Sequence, residues 1–394
     1  MGRQGLLIST LLLCYLAFFD FDITSVGVSY TVNGWIVNAM FVVIVLINIK
    51  HFKDFFSKEY VWINILTLLL CLIMIYSAQY NEGKLDQFYR LDHDTTTSSK
   101  LIFWRAIKIL FAVFFVELVN KYNKQRSFLY IIRNYMICYA LFSTISLLSG
   151  SDILLFGGKF AITYIDIYLC ALQWRLTLLK NYKDKLLFIV FIAHALYISV
   201  LTECSTSVMA ILALIVLASL RNAQIKILLY KPIFMISFLV FCSLILFLFS
   251  TWILSFPVVQ DFIVNVLHED LTLTGRLFIY ESIIEVFEES PLVGFGPSNY
   301  QLIAFYLTGC ENAQNGIVNL YLEIGLLGVS FFIMWFYLIF RKAVVSEESF
   351  PIIAFIYSWF LISSVEIPFS YMSFYIMASM LMLNTNTNAK ASLE

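Results

Sequence analysis

Apolar runs of about 20 residues, separated by short polar stretches, recur along almost the whole chain. About twelve are legible, near residues 5–19, 33–49, 60–79, 101–120, 127–149, 160–179, 186–203, 206–220, 232–255, 317–340, 349–364 and 367–384. Runs of that length in lipid must pair their own backbone N–H and C=O groups, so each is expected to be a helix. The pattern predicts an all-α, polytopic integral membrane protein with about 12 transmembrane helices. Its first run, GLLISTLLLCYLAFF, is followed by DFDITS with no small-residue cleavage site. It therefore reads as a first span, not as a removed signal. The two runs on either side of Thr202 are joined by a very short turn.

Two polar stretches interrupt the pattern for longer, at 79–100 and 256–316. The second is the longest loop and carries its own helical stripe. Leu277, Tyr280, Ile283, Ile284 and Phe287 recur on one face, and Glu281, Glu285, Glu288 and Glu289 fall elsewhere. This predicts an amphipathic helix, ended by Pro291 and Gly294, that caps the bundle or lies along the membrane surface. The chain thus divides into a bundle of nine spans (1–255), a large extracytoplasmic loop (256–316) and three last spans with a cytoplasmic tail (317–394). Neither an internal repeat nor a long central cytoplasmic loop is visible, which counts against a transporter built from duplicated halves.

Charge sets the orientation. With the N-terminus inside, 17 of the 25 lysines and arginines fall in cytoplasmic segments. Five lie outside (Lys84, Arg90, Lys100, Lys159 and Arg276), and Arg105, Lys108 and Arg133 lie inside spans. Lysine and arginine are retained on the cytoplasmic side, so both termini are expected there. The chain is 61% hydrophobic and only 13% charged, about half the charge of a soluble protein. Its seven cysteines sit mostly in or beside apolar runs, with no disulfide framework or metal-ligand spacing. No basic patch with interleaved aromatics suggests nucleic acid.

Three groups of residues could carry chemistry. Arg276 is the one cation among eight acids in the 256–316 loop. It stands where the amphipathic helix begins, against the helix dipole. Either it shares an anion with the N-terminal amides or it pairs with a nearby acid such as Asp270. Arg105 and Lys108 lie about one turn apart inside the fourth span. There a charge either faces a polar cavity or snorkels to the interface. Asn315, Asn319 and Glu323, spaced i, i+4, i+8 after Gln314, put a polar stripe on one face of the tenth span. The stripe predicts a water-filled or ligand-lined cleft, or else capping and interhelical hydrogen bonds; Gly325 and Gly328 permit close helix packing. His93 and His268 are outward-facing loop residues.

With these residues in view, 273–328 resembles the signature region of the O-antigen ligase and polymerase superfamily. Gly275-Arg276 matches the Gly-Arg that opens an outer-loop helix, and PLVGFG (291–296) matches Pro-x-x-Gly-x-Gly. QNGIVNLYLEIGLLG matches His-Asn followed by nine residues and Gly-x-x-Gly, with Gln314 where the family has histidine. A second family arginine has no counterpart, since Ser205 stands in its place in LTECSTSVMA.

The resemblance implies polymerisation of undecaprenyl-diphosphate-linked oligosaccharides on the outer face of a bacterial plasma (inner) membrane, with no cofactor or metal. It makes Arg276, Glu311, Gln314 and Glu323 the catalytic candidates, with Glu311, Glu323, His268 or His93 as a base if one is used. Arg105, Lys108, Gly275, Asn315 and Asn319 become the substrate-binding candidates. Membrane lipids and a chain-length regulator protein are the implied partners. Gln314 in place of histidine favours a polymerase over a ligase; a lipid-linked oligosaccharide flippase is the alternative from another class.

Overall fold

The computed structural model describes residues 2–18, 30–84, 99–149, 159–179, 183–253, 255–261, 264–265, 276–297, 299–309 and 312–383. All its regular elements are helical. They run α1 (Arg3–Phe18), α2 (Tyr30–Asn48), a 3-10 turn (Ile49–Asp54), α3 (Val61–Asn81), α4 (Ser99–Lys121) and α5 (Gln125–Leu148). Next come α6 (Lys159–Leu179), α7 (Lys183–Leu201), α8 (Ser205–Ser219), α9 (Ala223–Leu229) and α10 (Pro232–Ile253). After them follow α11 (Pro257–Asp261), α12 (Arg276–Glu289), α13 (Tyr300–Thr308), α14 (Gly316–Lys342) and α15 (Phe350–Ile362). Last is α16 (Met372–Ser379), between 3-10 turns at Pro368–Ser370 and Met380–Met382.

Each apolar run of the sequence falls on a helix, the last one in pieces. Among the described residues, four helical stretches are long and apolar enough to cross a membrane: Val32–Asp54, Val61–Asn81, Gln125–Leu148 and Gly316–Lys342. A fifth arises if Ala223–Leu229 and Pro232–Ile245, bent by 77°, form one span. The bend has a local cause. Pro232 has no N–H to continue the helix and pushes the residue before it out of helical geometry. Large apolar side chains such as Trp35, Val200 and Ile233 stand at least 70% exposed on helix surfaces. That is a liability in water but ordinary where helices face lipid.

The centre of the bundle is α15. From Phe350 to Phe360 every residue is buried, so this helix is apolar all round because neighbours surround it. It packs on α6, α8 and α10. Beside it, Phe332, Trp335 and Phe336 of α14 pile against Phe369, Phe374 and Tyr375 at ring-centroid distances of 5.3–6.4 Å. Between helices in lipid, where the hydrophobic effect adds little, such van der Waals packing supplies the cohesion.

Two buried polar features were not legible as such in the sequence. Arg175, counted there among the cytoplasmic charges, is only 1% exposed. Its guanidinium donates to the carbonyls of Met380 (2.9 Å) and Leu383 (2.7 Å), closing the C-terminal end of the last helical turn. Asp166 of α6 lies 3.4 Å from His194 of α7, whose other ring nitrogen is 2.9 Å from Thr144 of α5. Because the Thr144 hydroxyl donates to the Ala140 carbonyl, it accepts from His194. The trio ties three helices together and leaves Thr144 no proton to give.

Candidate functional site

The site is organised by a break in α14. At Gly325 the backbone turns to φ 62°, ψ −171°, a region open almost only to glycine. In an unbroken helix, Leu326 N–H would bond the Leu322 carbonyl and Leu327 N–H the Glu323 carbonyl. Here each of these four groups bonds PLVGFG instead. Phe295 N donates to Leu322 O (2.7 Å) and Gly296 N to Glu323 O (2.8 Å). Leu326 N donates to Pro291 O (3.0 Å) and Leu327 N to Leu292 O (3.1 Å).

The approach leaves no room for side chains at the junction. A Cβ on Gly294 would stand 2.6 Å from the Gly325 nitrogen, and one on Gly325 2.3 Å from the Leu292 carbonyl carbon. The end of α3 closes the other side: Asn81 Nδ2 donates to Gly294 O (2.9 Å) and Ser77 Oγ to Glu323 O (3.2 Å). Two glycine motifs read separately in the sequence are thus one interlocked element. Gly325 does more than permit close packing; it ends one helical segment and starts another.

The polar stripe leads into this break. Asn315 caps α14, its Oδ1 accepting from Val318 N (3.2 Å) while Nδ2 donates to Ser243 O (2.6 Å). Asn319 Nδ2 donates to Glu323 Oε1 (3.2 Å) and Ser370 Oγ (3.3 Å), and Ser370 Oγ donates to the same carboxylate oxygen (2.8 Å). Tyr300, the first residue of α13, hydrogen-bonds the Asn319 side chain. Arg105 reaches in from α4, donating to the Ser370 carbonyl (2.5 Å), and its charge acts on Glu323, Tyr300 and Tyr375. A cation held by a carbonyl, next to a buried carboxylate, keeps further guanidinium donors for an anion.

The amphipathic helix is anchored to the same place. α12 opens at Arg276, and one turn on, the Tyr280 hydroxyl lies 3.0 Å from the carbonyls of Gln314 and Ser364, donating to both. Ile283 and Phe287 continue the stripe into a small core with Phe295, Leu302, Ile303, Val318 and Leu322, seated over Phe247 of α10. Ile284, placed on that stripe by the sequence, is 51% exposed. The packed face is therefore narrower than expected.

The stripe itself departs from one expectation. Asn315, Asn319 and Glu323 are 0%, 0% and 2% exposed, so they line no open cleft and serve as cap and interhelical network. Gln314 is half-buried with φ 48°, a left-handed turn just before the cap. Lys108 is half-buried on α4 and has no acidic partner among the described residues. Gly275, Glu311, His93 and His268 lie outside the described residues. Sequence reasoning missed Ser370, Ser77 and Asn81. The available signal was a polar residue near the end of an apolar run, common to many positions without such a role. Among the described residues no group of three or more His, Cys, Asp or Glu could hold a metal ion.

This convergence of the helix opened by Arg276, PLVGFG and QN…GLLG coincides with the result of comparison. Residues 187–333 match the family model described as O-antigen ligase, which supports the O-antigen polymerase and ligase superfamily expected from the motifs. The match covers α7 to the first part of α14 and so includes all three elements. Comparison with curated proteins and with solved structures found no match.

Proposed function

We propose that the chain is a polymerase of lipid-linked oligosaccharide repeat units, with about twelve spans and both termini in the cytoplasm of a bacterial inner membrane. An acceptor sugar hydroxyl attacks the anomeric carbon of the donor chain. The bond from that carbon to the diphosphate oxygen breaks, and undecaprenyl diphosphate leaves. The hydroxyl proton passes to a carboxylate or to solvent. A diphosphate is a good leaving group, so the site's task is to place cations against the developing charge; no metal or cofactor is required for that. Arg276 supplies the principal cation, Arg105 and Lys108 the secondary ones. Gln314 and Asn315 shape the loop beside them, and Glu311 or Glu323 is the candidate base.

One observation carries this reading: Tyr280 ties the helix opened by Arg276 to the Gln314 carbonyl, at the end of the bundle where Arg105 meets the Glu323 network. Gln314 favours the polymerase over the ligase, because an amide cannot accept a proton as the family's histidine does. Glycan length on cells carrying wild type, Arg276→Ala or Gln314→Ala decides the matter. The polymerase predicts ladders with wild type and single repeat units with Arg276→Ala and with the null strain. A null strain that presents no single repeats outside at all would make the protein a flippase. Full-length polymer that fails to reach its lipid acceptor would make it a ligase.

A further inference from the structure

The corner between α9 and α10 is held more firmly than a bend at a proline requires. Lys226 of α9 pairs with Glu347 at 2.9 Å, and the Tyr230 hydroxyl donates to the Ser346 carbonyl at 2.7 Å. The Tyr357 hydroxyl donates to the Leu229 carbonyl at 3.0 Å. These bonds fix the corner against the turn after α14 and against α15. α9 stands at 77° to the start of α10, with Ile225 and Leu228, three residues apart, exposed on it. A short helix set nearly square to its neighbour, with apolar side chains outward, suits the membrane surface and marks headgroup level. α10 therefore starts where α14 ends, and the two pack together. Between them opens a cavity of about 560 Å³, whose lining includes Lys231, Ile233 and Ser237 of this corner and α10, and Tyr337 and Arg341 of α14. Lys231 and Arg341 are exposed, and neither pairs with an acid among the described residues. Their neighbours are engaged elsewhere, Lys226 by Glu347 and Lys342 over the Tyr60 ring at 5.5 Å.

We propose that this groove binds an anionic glycerophospholipid, its phosphate held between Lys231 and Arg341. Two stripes carry the argument. Ile233, Ser237 and Phe241 recur at i, i+4, i+8 on α10, and Met334, Tyr337 and Arg341 at i, i+3, i+7 on α14. Going inward from headgroup level, each wall presents a cation (Lys231; Arg341) and then a hydroxyl (Ser237; Tyr337). Exposed apolar side chains follow, Phe241 at 58% and Met334 at 54%. A diacyl phospholipid carries its groups in the same order: phosphodiester, glycerol ester oxygens, acyl chains. Two unpaired cations favour a lipid of net negative charge. A zwitterionic lipid sets its own ammonium beside them, and a soluble anion has no use for the apolar stripes below. The site is separate from the one described above, which α10 meets further along, where Ser243 accepts from Asn315 and Phe247 seats α12. It does not depend on the glycan reaction; under the orientation proposed above, its leaflet is the cytoplasmic one.

The test is native mass spectrometry of the full-length protein in detergent, titrated with phosphatidylglycerol or phosphatidylethanolamine, with thermal unfolding checked for each variant. Wild type should bind one phosphatidylglycerol in clear preference to phosphatidylethanolamine. Lys231→Gln and Arg341→Gln should each weaken that binding about fivefold, and the double variant roughly tenfold or more. Lys53→Gln/Lys58→Gln, which removes two exposed lysines from the segment between α2 and α3, should leave it unchanged. Ser237→Trp fills the groove without touching a charge and should also abolish the preference, so the test survives a double variant that does not fold. Equal binding of both lipids by wild type, unchanged binding in a folded double variant, or equal loss in Lys53→Gln/Lys58→Gln overturns the proposal. Glycerol 3-phosphate that displaces the lipid at equal concentration overturns it too, by making the groove a site for a soluble anion. Binding is read on the purified chain, so failure of the polymerase reading or of the proposed orientation leaves this result standing.

Discussion

Replacing Gly325 with alanine tests the central geometric claim, that PLVGFG substitutes for a turn of α14. Two costs can be worked from the structure. Alanine at φ 62°, ψ −171° occupies a region nearly closed to side chains, at about 1–3 kcal/mol. The new Cβ would also lie 2.3 Å from the Leu292 carbonyl carbon and 2.4 Å from both its oxygen and the Val293 nitrogen. These are backbone atoms and cannot rotate away, so the two segments must part by about an ångström, the difference from ordinary contact distance. That stretches four hydrogen bonds of 2.7–3.1 Å past useful length. At about 0.5–1.5 kcal/mol net each, their loss adds roughly 2–6 kcal/mol.

The expected destabilisation is about 3–9 kcal/mol, measured by unfolding in mixed detergent–SDS micelles with helicity as the readout. Gly309→Ala is the control: φ is 71° there too, but nothing lies within 4 Å of its Cβ, so only backbone strain of about 1–2 kcal/mol applies. If Gly325→Ala costs no more than Gly309→Ala, the junction does not hold the helix break and the reasoning fails.

Tyr280→Phe removes one hydroxyl shared by the Gln314 and Ser364 carbonyls and should cost about 1–2 kcal/mol. Limited proteolysis should then cut the 256–316 segment faster and glycan ladders should shorten; an unchanged cleavage rate would show that α12 is not anchored there. Glu323→Gln keeps an oxygen to accept from Asn319 and Ser370 but removes the charge facing Arg105. It should cost about 2 kcal/mol in stability, as two neutral bonds replace two charge-assisted ones, and lose at least tenfold in polymer made per cell. Full activity in Glu323→Gln would remove the carboxylate from the mechanism.

Hydropathy alone settled the all-helical class and the position of nearly every long helix, because backbone groups in lipid admit few other solutions and apolar length is a local property. The i, i+3, i+4 stripe placed α12, and the three motifs fell inside the segment that the family model matches, for the same reason: each is a short-range pattern. What the stretches do to one another was not written locally. Nothing in LEIGLLG says that α14 breaks at Gly325, since the bonds that replace the lost turn come from residues about thirty positions upstream. Nor does the sequence say whether a polar stripe faces water. Asn319 and Glu323 found partners in Ser370 and Tyr300, on elements that only the folded bundle brings alongside. Arg175 makes the same point, a cation that the charge pattern assigns to a cytoplasmic segment and that packing buries beneath two carbonyls of the last turn. The sequence determined which segments are helices; tertiary packing decided which polar groups are paired, because a hydrogen bond depends on the distance between atoms and not on their separation along the chain.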